Sequence, residues 1–186
     1  MTRRLFFIAA LAPTAFAQRP PLRASDARYE PSTAAQTLAM LQLAGVTRTD
    51  IVYDLGCGDG RLVVTAAQKF GSRGVGIDSD PQRIQESIAN AREAGVERLV
   101  TFRNEDLFTA DIHKATVVTL YQWPWINLKL RAKLWKELKP GTRVVSHYHD
   151  MGQWLPEKQI VVEGHRIYLW IIPAMPPVVT DTPVVR

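Results

Sequence analysis

The sequence predicts an α/β fold, with a mostly parallel sheet, helices on both faces and a β-hairpin near the carboxyl end. Three observations predict it. Short apolar, β-favouring runs alternate with segments whose apolar residues recur at helical spacing. The stretch Tyr53-Asp54-Leu55-Gly56-Cys57-Gly58-Asp59-Gly60-Arg61 joins such a strand to such a helix through a glycine loop. Two closing β runs, 159–163 and 165–172, flank the turn pair Glu163-Gly164.

Residues 1–17 read as an export signal, with Arg3-Arg4 as charged start, Leu5 to Ala12 as apolar stretch and Ala15-Phe16-Ala17 as cleavage site. Thr2-Arg3-Arg4-Leu5-Phe6-Phe7 is similar to a twin-arginine signal, and a general secretory signal reads nearly as well. The expected destination is periplasmic or extracellular. An uncleaved anchor or a plain N-terminal helix is the alternative, and no span is expected in the mature chain, because the apolar run is well short of the ~20 residues a bilayer needs. Residues 18–28 form a Pro- and Arg-containing linker, 29–172 the folded domain and 173–186 a proline-rich tail expected to be mobile.

Thr33 to Ala44 carries Leu38, Met40 and Leu41 on one side and is a helix, with Ser32 as N-cap and Gly45 as C-cap. Ile51-Val52-Tyr53 is the first strand, and Leu62, Val63, Ala66, Ala67 and Phe70 give the face of the next helix. Gly74 to Asp78 is the second strand. Asp80 caps and Pro81 opens the following helix, with Ile84, Ile88 and Ala91 as its buried side and Gly95 as its end. Val100 to Asn104 is the third strand, and Ala115 to Tyr121 the fourth, apolar enough to be covered on both faces. The link 107–114 has room for a turn of helix only. Asn127 to Leu138 is a helix with the seam Leu130, Leu134, Leu138, stopped by Pro140-Gly141, and Thr142 to His149 is the fifth strand.

Composition excludes little. Hydrophobic residues at 46% and charged ones at 22% are ordinary for a globular domain. The net charge is +5, but two of the positive charges lie in the segment expected to be removed. The remainder is too little to argue for nucleic acid, and no basic run with interleaved stacking residues appears, so no nucleic-acid partner is expected. One cysteine, Cys57, permits no intrachain disulfide and reads as a small residue suited to the loop.

The chemistry gathers at strand ends. The loop pattern Gly56-x-Gly58-x-Gly60 is neither the dinucleotide fingerprint nor a P-loop. Its acids, Asp54 and Asp59, would repel a pyrophosphate but suit a ligand presenting an ammonium. Asp78 ends the second strand, where a carboxylate can accept from both hydroxyls of a ribose. Asp106 follows the third strand, within reach of an adenine amino group. After strand four comes Tyr121-Gln122-Trp123-Pro124-Trp125, and after strand five His147-Tyr148-His149-Asp150, whose alternation puts His147 and His149 on one face. Two imidazoles without further ligands make a poor metal site, so no metal is expected.

Asp54 to Gly60, Asp78 and Asn104-Glu105-Asp106-Leu107 resemble the motifs of the class I S-adenosylmethionine-dependent methyltransferases. The resemblance implies a Rossmann-like sheet of seven strands with the last antiparallel, and S-adenosyl-L-methionine as cofactor. It implies cofactor contacts from Asp54, Gly56, Cys57, Gly58, Asp78 and Asp106, with Tyr29 and Ser32 brought over the cofactor mouth. Tyr29-x-Pro31-Ser32, Val52 to Arg61 and Glu137-Leu138-Lys139-Pro140-Gly141-x-Arg143-Val144 together resemble the protein-lysine methyltransferases acting on the ATP synthase c-subunit and adenine nucleotide translocase. Residues 121–125 and 147–150 depart from that family. The acceptor implied is a protein lysine or a small molecule, with Tyr121 and Trp123 as a cation-tolerant wall and His147 or His149 taking a proton through water. A non-catalytic protein that holds S-adenosylmethionine as sensor or carrier is the rival reading.

Overall fold

The computed structural model describes residues 30–181. The export signal, the linker and the contact expected from Tyr29 lie outside the described residues. In chain order the elements are α1 (Ala34–Leu43), β1 (Ile51–Leu55), α2 (Arg61–Phe70), β2 (Arg73–Asp78), α3 (Pro81–Glu93), β3 (Val100–Asn104) and β4 (Val117–Leu120). They continue with α4 (Pro124–Glu137), β5 (Arg143–His147), β6 (Lys158–Val162) and β7 (His165–Ile171). The strands form one seven-stranded sheet in the order β3-β2-β1-β4-β5-β7-β6. Neighbours from β3 through β5 run parallel, while β7 is antiparallel to β5 and to β6. The order reverses between β1 and β4, and a crevice for ligand opens beyond the carboxyl ends of those two strands.

Alternation along β1 explains the two layers. Tyr53 and Leu55 face a core shared with Val118, Leu120 and the α4 residues Ile126, Leu130 and Leu134. Val52 faces the opposite core, with Met40 and Leu41 of α1, Val63 and Ala67 of α2 and Ala91 of α3. Helices therefore cover both faces, and each strand near the centre reads as a continuous apolar run. At the foot of the sheet, away from the crevice, buried Asp50 accepts from the Thr47 amide, the Thr116 hydroxyl and the Arg143 guanidinium. That cluster ties together the starts of β1, β4 and β5.

Several boundaries differ from the sequence expectation. Thr33, not Ser32, caps α1, in a reciprocal capping box with Gln36. Ser32 is left for the site. On α3 the buried side is Ile84, Ser87 and Ala91, and Ile88 is exposed. Ser87 replaces it because its hydroxyl donates to the Gly58 carbonyl (2.8 Å) under the glycine loop. Helix α4 starts at Pro124 rather than Asn127, since proline suits the first helical position.

Strand β5 ends at His147 rather than His149, because Tyr148 turns into the left-handed region at φ 68. The hairpin turn lies at Glu163-Gly164, both at positive φ (52 and 81) as a two-residue turn between twisted strands requires. In the tail, Asp181 accepts from both terminal nitrogens of Arg131 (3.0 and 2.9 Å) and from the Gln153 amide (2.9 Å). Buried Arg131 needs a charge partner, and the tail supplies it.

Candidate functional site

A cavity of about 500 Å³ opens where the sheet order reverses. Its floor is the glycine loop, held as a rigid turn by donation from the Gly56 and Cys57 amides to the Ile77 carbonyl (2.8 and 2.9 Å). Gly56 sits at φ 85, and a Cβ there would collide with the side-chain amide of Gln122, which donates to the Leu55 carbonyl (3.0 Å). The turn requires glycine at 56, and a Cβ there would also push the Gln122 amide off its bond to Leu55. Gly58 donates its amide to Asp78 Oδ2 (2.9 Å), while the Asp80 amide donates to Oδ1 (2.9 Å). Both carboxylate oxygens are oriented, and each keeps a lone pair for a ligand hydroxyl.

Asp54 is a strongly perturbed group of the floor. It is 6% exposed and accepts from the Thr119 hydroxyl (2.8 Å). Burial, with Asp78 and Asp59 nearby, pushes its carboxyl up to about 7. Burial likewise raises Asp78. Asp106 lines the cavity beside Leu107 and Phe108 and accepts the Phe108 amide (2.8 Å), an acid at the edge of an apolar slot. Cys57 also lines the cavity, but its thiol lies near the Gly58 carbonyl (3.8 Å) and Ser87 Oγ (3.9 Å), and burial raises it well above the ordinary thiol range. It packs the loop and is no nucleophile at neutral pH.

The opposite wall brings together residues distant in sequence. Tyr121, Trp123, Tyr148 and His149 line it, together with Glu30, Ser32 and His165. Trp123 stacks on His149 (6.1 Å between ring centres, 19° between planes) and remains 48% exposed. Tyr121 lies against the ring of His147 (4.0 Å), and burial, then the charge of Glu30, raises its phenol.

His147 departs from expectation. It does not share a face with His149, because the turn at Tyr148 breaks the alternation and the His149 amide donates to the His147 carbonyl (2.8 Å). The ring of His147 is 1% exposed and stands behind the wall. Its ring nitrogens meet two cavity-lining residues, Ser32 Oγ (2.8 Å) and His165 Nδ1 (2.9 Å). Burial, then His165 and His149, bring its imidazole down to about 4.

Sequence reasoning missed Glu30, Arg61, Gln122, Tyr148 and His165. Arg61 had a signal, since it ends the loop motif; its guanidinium grips Asp59 (2.6 Å) and donates to the Ser32 carbonyl (2.7 Å), fixing the N-terminal segment over the loop. Asn127 of α4 does the same for the other segment by donating to the carbonyls of His149 and Asp150 (3.1 and 3.3 Å). His165 left no signal, because only the β5–β7 pairing brings it to His147.

The acceptors fit S-adenosylmethionine. A buried carboxyl held partly protonated is a seat for an ammonium, which relieves the desolvation that raises it. Oriented Asp78 suits a ribose, and Asp106 with its apolar slot an adenine. A doubly wound sheet in this order, with an acid-flanked glycine loop at its switch point, defines a class I S-adenosylmethionine-dependent methyltransferase. The family model described as the ANTKMT methyltransferase domain matches residues 54–158, and the chain belongs to that family.

Comparison with individual proteins agrees. A protein-lysine N-methyltransferase of Saccharolobus islandicus is 43% identical over 149 residues, 77% of this chain and 92% of that protein. The lysine N-methyltransferase of the ATP synthase c-subunit from Xenopus laevis is 32% identical over 138 residues, 74% of this chain but only 60% of that protein. A Salinibacter ruber protein described as an RNA methyltransferase, crystallised with S-adenosyl-L-homocysteine, is 51% identical with a TM-score of 0.81. That likeness covers 82% of this chain and 99% of the other.

Proposed function

We propose that the protein transfers a methyl group to a lysine side chain of a protein acceptor. The observation that carries this is the wall facing the cavity floor: Tyr121, Trp123 and Tyr148 as rings, with the carboxylate of Glu30 among the lining residues. Aromatic faces admit a cationic side chain, and the carboxylate guides it in. The names of the archaeal and amphibian relatives support the same acceptor.

S-adenosylmethionine, when bound, supplies an electrophilic methyl on its sulfonium. Asp54 would hold the ammonium of its methionine part, Asp78 the ribose hydroxyls and Asp106 the adenine amino group. Tyr121 and Trp123 would narrow the path so that the amine meets the methyl in line, while the apolar rings exclude water. A lysine has an ordinary pKa near ~10.4, so the amine must lose a proton before it can attack, and an apolar wall favours the neutral form.

Incubating the purified protein with labelled methyl donor and a protein extract of its native host tests the acceptor. Label on lysine supports the reading, and label confined to small molecules refutes it. One observation favours a second acceptor: the description of the 51% identical Salinibacter ruber protein as an RNA methyltransferase. Label in RNA and none in protein from the same extract decides for that reading. The apolar residues 5–12, the Arg3-Arg4 start and the Ala15-Phe16-Ala17 site motivate export of the mature chain from Gln18. N-terminal sequencing from the host checks it, and an intact Met1 start on soluble cytoplasmic protein counts against it.

A further inference from the structure

Transfer to lysine requires a proton to leave the cavity, and a connected line of hydrogen-bonding groups starts in its lining. Ser32 lines that cavity, with its hydroxyl 2.8 Å from Nδ1 of His147. Nε2 of His147 lies 2.9 Å from Nδ1 of His165, a half-buried ring at the cavity rim. The other ring nitrogen of His165 has no protein partner among the described residues. Three hydrogen-bonding groups therefore run in an unbroken line from the cavity, behind its wall, to the rim.

We propose that Ser32, His147 and His165 form the proton exit for the acceptor amine, with Ser32 as entry, His147 as buried link and His165 as outlet. This rests on the lysine acceptor proposed above. The neutral chain starts with the serine O–H donating to Nδ1 of His147 and the Nε2–H of His147 donating to Nδ1 of His165. Ser32 Oγ accepts a proton from the substrate ammonium. Its own proton passes to His147 Nδ1, the His147 Nε2 proton passes to His165 Nδ1, and the His165 Nε2 proton leaves to water. The amine keeps its electron pair for the methyl, and no net charge remains on the chain. After product release, with the cavity open to water, the reverse shift resets it.

The surroundings suit a conduit that stores no charge. His147 is 1% exposed, and its depressed pKa keeps the ring neutral through physiological pH. The titratable groups about the two rings are Tyr121 against His147, Tyr148 against His165, and His149. Glu30 lies beyond Tyr121, and Glu163 accepts from Thr33 beside Ser32. Arg61 fixes the Ser32 carbonyl and so the entry. His147 is buried and would act on the acceptor through Ser32, so a packing role must be distinguished from a relay.

His165→Gln keeps a hydrogen-bonding side chain next to His147 but cannot pass a proton on. Initial rates of labelled methyl transfer into lysine of the host extract are compared for the wild type, His165→Gln and Ser32→Ala between pH 6.5 and 10. At pH 7 His165→Gln should fall about tenfold to hundredfold, within the usual range for an assisted proton transfer. The gap should close toward pH ~10, where lysine loses its proton unaided. Cofactor affinity should stay within about threefold, and added imidazole should restore part of the rate of His165→Gly. A loss equal at every pH, or no loss at pH 7, overturns the relay while lysine labelling by the wild type leaves the acceptor reading standing. Wild-type protein that labels no lysine overturns both. Ring-nitrogen NMR of the cofactor-free protein gives a reading independent of turnover: His147 should stay neutral to below pH 5, and titration at its ordinary 6.5 removes it from the chain.

Discussion

Asp54→Asn should stabilise the cofactor-free protein at alkaline pH while weakening cofactor binding. The carboxyl is raised from an ordinary 3.8 to about 7, chiefly by burial and then by Asp78 and Asp59. A carboxyl raised by folding favours the neutral form in the native state. Its contribution is therefore fully present below pH 3.8 and is lost as pH rises through about 7, beyond which it changes no further. About three pKa units at ~1.36 kcal/mol each amount to roughly 4 kcal/mol over the whole window, of which about 3 falls between pH 5 and 8.

Asparagine keeps the shape and the bond accepted from Thr119 but never ionises. Urea unfolding of both proteins at pH 5 and pH 8, without cofactor, reads the difference directly. The wild type should lose about 3 kcal/mol more than Asp54→Asn over that interval. S-adenosyl-L-homocysteine should then stabilise the wild type far more than the variant at pH 8, since its ammonium is the charge Asp54 lacks. Parallel pH dependence in the two proteins, or a variant less stable than wild type by the same margin at both pH values, would refute the reasoning.

Asp78→Ala should weaken S-adenosylmethionine binding by roughly 1.5–3 kcal/mol in titration calorimetry, the scale of hydrogen bonds to a charged group; unchanged affinity removes Asp78 from the cofactor site. Gly56→Ala should cost about 2–4 kcal/mol in urea unfolding, from the positive φ and the collision with Gln122, and Gln122→Ala should recover part of that loss in the double variant. Strict additivity of the two changes would show that the collision is not felt. Trp123→Ala should lower methyl transfer at least tenfold while cofactor affinity stays within threefold, below ~0.7 kcal/mol; equal losses in both place the ring on the cofactor instead. Tyr148→Gly should lower transfer but not stability, because glycine removes a left-handed strain of about 1–2 kcal/mol at φ 68 while deleting a wall ring that is 51% exposed.

The sequence by itself determined the sheet, its helices and the residues that form the cavity floor. Those features are local: strand, glycine loop and helix N-terminus follow one another between Ile51 and Phe70, and Asp78 and Asp106 each sit just past or at a strand end. Short-range sterics and hydrophobic period write such features into contiguous residues. The opposite wall of the cavity was decided by tertiary structure. It joins residues 30–32, the end of β4, the turn after β5 and the start of β7, which no periodicity connects. His147 looked like a cavity residue because alternation was carried through Tyr148, but a single positive φ ended the strand and left its ring buried.

The tail was equally illegible. Its composition has no core pattern, yet Asp181 is held because Arg131, on the buried side of α4, requires a counter-charge. Pairing of a buried charge and register between antiparallel strands are properties of the assembled chain, because each depends on which distant residue arrives opposite.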